Sequence, residues 1–258
     1  MRRYLPFLII GAVVVIGSVG ALLLFRSKSP GPPLKIVEGK PGAEPPHVRG
    51  PADPRVTLEE FGDYQCPPCG FLAATLLKIE HDYGDRVQIV FRQFPLPMHA
   101  HAMNAARAAE AAGLQGHFWE MHDLLYQNAL TWSKESPRPF IKTVTSLDPN
   151  ASPSDALTGV RLVFAGYAEK IGLDVERFKK DLDTEPVKAR IAADQERGVS
   201  IGVDRTPFLF IDGVKIPFTS FDEKELRGVV DTALSGKTPT FSPGPSPTPA
   251  PVPPPPPK

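Results

Sequence analysis

"EEFGDYQCPPCGFLAATLLKIEHDYGD", residues 59–85, carries the only two cysteines of this 258-residue chain, Cys66 and Cys69, with Pro67 and Pro68 between them. Just upstream, "RVTLEEF" (55–61) alternates as a strand does, with Val56, Leu58 and Glu60 on one face. Gly62 and Asp63 are turn residues. From Pro67 the period changes, because Phe71, Leu72, Thr75, Leu76 and Ile79 recur at helical spacing. "VQIVFRQF" (87–94) reads as a second strand. Strand, helix, strand in that order implies a parallel pair joined by a right-handed crossover.

Downstream, "HAHAMNAARAAEAAG" (99–113) is Ala-rich and favours helix. Helical patterns follow at 117–130, 155–172, 174–183 and 186–197. "TPFLFIDG" (206–213) and "VKIP" (214–217) read as a hairpin turning at Asp-Gly. Phe221, Leu226, Val229, Val230 and Leu234 mark a last amphipathic helix. The order is β-α-β, several helices, then β-β-α, an α/β class. One crossover helix needs only part of residues 95–205, so the excess is an inserted helical subdomain, expected at about 95–185.

The ends differ in composition. Residues 4–25, "YLPFLIIGAVVVIGSVGALLLF", run about 22 residues without a charge, long enough to span a bilayer. With no convincing cleavage site after it, residues 1–25 read as an uncleaved transmembrane signal anchor rather than a removed signal peptide. The body is then expected outside the cytoplasm, on the periplasmic or cell-envelope side. Residues 26–50 are rich in Pro and Gly and read as a coreless linker. Residues 237–258, "KTPTFSPGPSPTPAPVPPPPPK", read as a disordered, proline-rich tail. The folded domain is expected at 51–236. The 29 basic residues balance 29 acidic ones with no long basic run, which argues against a nucleic-acid partner.

Three readings of the cysteine pair compete. Structural zinc takes four ligands, and neither a second CxxC nor a His pair on one helix face completes a site here, so no metal is expected. A staple over so short a loop removes little entropy from the unfolded chain. A redox pair fits the local chemistry. Cys66 stands at a strand-to-helix junction, where the helix N-terminus favours a thiolate, the attacking species. Pro67 suits the first helical position. Cys69, one turn on, can attack a mixed disulfide on Cys66 and release the partner. Neither Pro67 nor Pro68 can donate an amide to sulfur, so the Cys66 pKa is expected to be lowered into the upper half of about 3.5–7.

Two more residues enter on position. Glu60 shares its strand face with Val56 and Leu58, so it is expected beneath the cysteine helix, its pKa raised, exchanging a proton with Cys69; the alternative is a solvated edge Glu. Pro207 opens a strand where a proline is unusual. It would leave a backbone edge free for an extended peptide.

With "EFGDYQCPPC", "FRQFPL…H", "AARAAEAAGLQGHFWEMHDLLY" and "GVDRTPFLFIDG" taken together, the chain resembles DsbA-type thiol–disulfide oxidoreductases of the thioredoxin superfamily, the membrane-tethered BdbD kind above all. The resemblance covers roughly residues 52–235. It implies a thioredoxin fold with an inserted helical domain, Cys66 as the reactive thiol and a cis peptide before Pro207. It also implies that Glu60 is the acid buried under the site and that Thr206 tunes substrate release. Pro67, Pro68 and Phe208 join Thr206 as expected substrate contacts. The redox-active pair needs no further cofactor. The expected partners are reduced or unfolded exported proteins and a quinone-linked membrane re-oxidant, DsbB-like or VKOR-like. Two departures stand out. Arg205 replaces the Gly of many relatives, placing a charge either near Cys66 or in solvent. Ala112 stands where many have a cysteine. The expected activity is disulfide donation. The alternatives are an extracytoplasmic reductase or isomerase, or a tethered chaperone whose groove would comprise Phe94, Leu96, Pro207 and Phe208.

Overall fold

The computed structural model describes residues 37–133 and 156–241, with side chains from residue 159 onward in the second stretch. The expected anchor, the linker as far as residue 36 and the tail from residue 242 lie outside the described residues. Among the described residues no helix is long and apolar enough to cross a membrane.

The chain runs β1 (His47–Arg49), β2 (Val56–Gly62), α1 (Pro67–Tyr83) and β3 (Val87–Gln93). The helices α2 (Ala102–Gly113), α3 (Phe118–Gln127), α4 (Ala129–Trp132), α5 (Ala156–Lys170), α6 (Val175–Asp181) and α7 (Glu185–Ser200) follow. It closes with β4 (Phe208–Ile211), β5 (Val214–Ile216) and α8 (Glu223–Leu234). The five strands form one sheet in the order β1-β3-β2-β4-β5. β2 pairs parallel with β3, Val56 opposite Val87, and antiparallel with β4, Glu60 opposite Leu209. Asp212 and Gly213 both take positive φ, as a two-residue hairpin between β4 and β5 demands.

Every residue of β2, β3 and β4 is buried, so both faces of the sheet are covered. On one face, Leu72, Leu76 and Ile79 of α1 and Leu226 and Val230 of α8 pack on Leu58, Ile89, Leu209 and Ile211. On the other lie the rings of Phe61, Phe94, Phe208 and Phe210. Here α7 comes so close that a Cβ on Gly198 would stand 2.7 Å from the Phe94 ring. A third cluster centres on the Ala-rich face of α2, with Phe118, Met121, Leu125, Trp132 and Phe164 around it. The helical insertion thus has its own core, continuous with the residues around the cysteines.

The linker expected over 26–50 is shorter than that reading. Within it, β1 pairs antiparallel with β3, Val48 opposite Val90, and its outer edge is met by the Trp119 indole N–H on the Val48 carbonyl at 2.9 Å. A three-residue strand after two prolines carries no periodicity to read. An edge strand, however, needs a ladder on one side only, which tolerates Pro45 and Pro46 just before it. Gly50 ends the strand at φ 111°, where a Cβ would lie 2.6 Å from the Val87 carbonyl oxygen.

Upstream of β1, residues 37–43 lie over a buried ionic quartet. Glu59 binds Arg197 through both oxygens, at 2.7 and 2.9 Å, and Arg92 at 3.0 Å; Arg92 reaches Asp194 at 3.1 Å. All four side chains are at most 2% exposed. The guanidiniums also donate to the carbonyls of Val37, Lys40 and Ala43, while Arg92 Nη2 is left without a partner. Asp194 accepts the N–H groups of Ala43 and Gln93.

Candidate active site

Cys66 is the N-cap of α1, in extended conformation (φ −78°, ψ 114°), with Pro67 opening the helix. No side chain caps that end. The Cys66 sulfur therefore takes the place where the first turn's unpaired N–H groups favour an anion. Cys66 N–H donates to the Asp63 carbonyl at 3.1 Å, and Cys69 N–H to the Cys66 carbonyl at 3.0 Å. Both cysteines are free thiols in this structure. The Cys66 thiol donates to the Thr206 carbonyl at 3.5 Å. Thr206 thus stands beside the Cys66 sulfur, and the peptide joining it to Pro207 is cis, as the resemblance implies.

The two thiols are chemically unequal. The Cys66 pKa is lowered to about 6: the Cys69 thiol's hydrogen bond does most, against burial, with help from the Thr206 side chain and the Cys69 N–H. The Thr206 hydroxyl has no other partner and can turn its hydrogen to a thiolate. Cys69 is fully buried, and burial pushes its thiol well up, the neighbouring Cys66 adding to the effect. Arg205 faces solvent, where it pairs with Asp204 at 2.8 Å.

Glu60 lies in the interior, 1% exposed, with its pKa raised to about 8, by burial first and then by the charge of Cys66. Its Oε1 has no hydrogen-bond partner. The Tyr64 and Tyr126 hydroxyls are also buried and without partners, and both feel the charge of Glu60. Burial raises the Tyr126 pKa most, followed by the charges of Cys69 and Glu60. Cys69, Tyr126 and Glu60 are thus electrostatic neighbours.

The expected substrate contacts divide. Pro67 is exposed, and Pro68 and Thr206 are half-buried around the sulfur. The Phe208 side chain departs from that expectation. It is 5% exposed, packed in the Phe61 cluster with the Lys215 ammonium 4.3 Å from its ring centroid, so only its backbone remains for a peptide. Phe94, 8% exposed, is in the same cluster, which leaves the expected groove without its two rings. The parity of β4 explains this: Phe208 and Phe210 point to the α7 face, Leu209 and Ile211 to the α1 face.

Asp63, read only as a turn residue, organises the loops. Its buried carboxylate accepts the N–H groups of Gln65 and Leu96, each at 2.8 Å, and His99 Nδ1 at 2.7 Å. Gln65 in turn holds the His101 N–H at 2.7 Å. The loop after β3 is thereby tied to the cysteine loop, with Met98, 80% exposed, on it. Spacing alone could not have joined residues 36 apart. The Asp three before the Cys was the available signal.

A family model described as Thioredoxin matches residues 43–232. The chain belongs to the thioredoxin family. This thioredoxin-family chain is similar in structure to a thioredoxin-like oxidoreductase from Silicibacter pomeroyi DSS-3, at 27% identity and TM-score 0.54, over 74% of this chain and 92% of that one. DsbA2 from Pseudomonas aeruginosa is 25% identical with TM-score 0.51, over 75% and 96%. BdbD from Bacillus subtilis, in its oxidised form, shares the fold at 24% identity and TM-score 0.58, over 78% and 99%. Within the family its fold is that of the DsbA-type thiol–disulfide oxidoreductases. In sequence it is also 34% identical over 191 residues to a Na(+)/H(+) antiporter NhaA 1 of Salinispora arenicola, covering 74% of this chain and 25% of that protein. The chain spans about a quarter of the length of the curated relatives it matches.

Proposed function

We propose that this oxidoreductase works outside the cytoplasm and donates its Cys66–Cys69 disulfide to reduced exported proteins. The observation that carries the reading is the inequality of the two thiols. A sulfur titrating near 6 at a helix N-terminus is a good leaving group, and its buried neighbour needs a proton to leave. A substrate thiolate attacks Cys66, the Cys66–Cys69 bond breaks, and Cys69 takes the proton of Glu60. A second substrate thiol then expels Cys66 as a thiolate, and the substrate gains its disulfide. Glu60, its pKa raised first by burial, supplies the acid where water is excluded.

Location and turnover rest on sequence and chemistry. The apolar run at 4–25 supports a membrane anchor with the domain on the periplasmic or cell-envelope side. Each donated disulfide leaves two electrons behind, so a membrane re-oxidant, quinone-linked and DsbB-like or VKOR-like, must remove them. Anchoring raises the effective concentration of that partner.

The test is the reduction potential of the pair, by equilibrium with glutathione. A value near about −120 mV is expected for a donor; a value near about −270 mV would make the protein an extracytoplasmic reductase instead. Full biological activity of a Cys66→Ala/Cys69→Ala variant would point instead to a redox-independent chaperone.

A further inference from the structure

Glu60 must exchange its proton with solvent once per half-cycle, yet it is sealed in the core. The way out lies on α3. His122, 4% exposed, shares with Glu60 a small cavity of about 10 Å³, lined also by Ala73, Leu76, Trp119 and Arg49. That is close to the room one water needs. Glu60 and His122 each carry a buried polar atom without a partner, Oε1 and Nε2 respectively. The other ring nitrogen, Nδ1, meets Asp123 Oδ1 at 3.0 Å, so Nδ1–H donates to that carboxylate and Nε2 is left as a buried acceptor. The Asp123 side chain is 25% exposed and is held by Arg49 Nη2 at 2.8 Å. One carboxyl inside, one imidazole across the wall and one carboxylate at the surface thus form a single file.

We propose that His122 and Asp123 are the outlet through which Glu60 exchanges protons with solvent as Cys69 alternates between disulfide and thiol. The inference rests on Glu60 serving Cys69 as proposed above, and it adds two positioning residues to that reaction. In re-oxidation, Cys66 carries a mixed disulfide with a partner. Glu60, protonated in the reduced protein, first hands its proton to His122 Nε2, and His122 gives its Nδ1 proton to Asp123 and water. The Cys69 proton then passes to the Glu60 carboxylate, the Cys69 thiolate attacks the Cys66 sulfur, and the partner leaves as a thiolate with the electron pair. The ring is left with hydrogen on Nε2. Disulfide donation runs the relay backwards: Nε2–H recharges Glu60 while a proton from solvent, by way of Asp123, returns to Nδ1. The reduced protein ends in the tautomer that the hydrogen bond to Asp123 implies.

The surroundings fit. Burial holds His122 down, keeping the ring neutral against its bonded Asp123. Despite burial, His122 and Arg49 keep the Asp123 carboxyl below its usual range. The groups facing the ring are Asp123 and Tyr126 on its own helix, Arg49 and His47 on β1, Tyr64 in the cysteine loop and Glu60 on β2.

The experiment uses oxidised glutathione as the partner disulfide and acid-quenched mass spectrometry of the reduced protein. It separates two rates, capture of glutathione by Cys66 and its release by Cys69. His122→Gln is expected to slow release about tenfold with capture unchanged, a split that a merely structural defect would not give. Glu60→Gln should slow release at least as much, and the double variant no further, because both act on one path. Asp123→Asn, at the surface, should slow release by a smaller factor and carries the test if His122→Gln does not fold. Wild-type release in His122→Gln, or in Asp123→Asn where that variant carries the test, beside slow release in Glu60→Gln would overturn the outlet and leave the role of Glu60 standing. Wild-type release in Glu60→Gln would overturn both.

Discussion

At the scale of the residue, the reactive cysteine is set by what its neighbours lack as much as by what they offer. Prolines at 67 and 68 remove two amides, and no basic side chain replaces them, so the Cys69 thiol and N–H and the Thr206 side chain do the stabilising. Alkylation of reduced protein by iodoacetamide should therefore rise with pH through about 6 and be flat above about 7, because the thiolate is the reacting form. A midpoint near 9 in that profile would mean that the thiol is unperturbed. The same lowering acts on the potential. At pH 7 it is equivalent to about one pKa unit, and for a two-electron couple that is at most about 30 mV once solvent screening is counted. A strongly oxidising pair would need stabilisation of its reduced form beyond the thiolate. Pro68→His would add a ring N–H within reach of Cys66, and the potential of that variant should become less negative. Cys66 and Glu60 were legible because each has a local signature: two thiols one turn apart, and a carboxyl on the apolar parity of a strand. Asp63 and Thr206 act through contacts to residues far along the chain, and their roles emerge only in three dimensions.

At the scale of the element, long periodic segments were legible and short or charged ones were not. The strands flanking α1, the Asp-Gly hairpin and the run of helices follow their patterns, with α7 extending to Ser200 where the pattern suggested 197. β1 escaped because three residues after two prolines have no period. The ionic quartet escaped because nothing local in the sequence marks Glu59, on the strand face opposite Glu60, as buried with Arg92, Asp194 and Arg197, yet both carboxyls are 1% exposed. The guanidiniums of Arg92 and Arg197, themselves buried, are the partners of the Glu59 side chain there. Removing one partner of such a group strands a charge, at a typical cost of about 3–5 kcal/mol. Arg197→Ala should lose that much in urea denaturation at pH 7. It should also release residues 37–40, whose carbonyls Arg197 holds, and so speed amide exchange there. A loss under about 1 kcal/mol would show that water enters and solvates Glu59.

At the scale of the whole molecule, the two redox states differ electrostatically at one point, and the effect is felt through the sheet. Reduced protein near neutrality carries a thiolate on Cys66; oxidised protein carries none. Glu60 is held near pKa 8 first by burial and then by that charge. Oxidation removes the second cause and keeps the first. The Glu60 pKa should therefore fall on oxidation while remaining above 4.5, and the reduced form should hold the Glu60 proton to higher pH. The sign suits a disulfide donor: the carboxyl is the stronger acid when Cys69 is about to need a proton, and the weaker one once Cys69 has it. The carboxylic C=O stretch of Glu60, assigned by its loss in Glu60→Gln and followed by infrared titration in both states, measures the difference directly. A lower midpoint in the oxidised protein is expected. Equal midpoints would mean that the Cys66 charge is screened from Glu60, and the pair would then titrate as independent groups rather than as one coupled site.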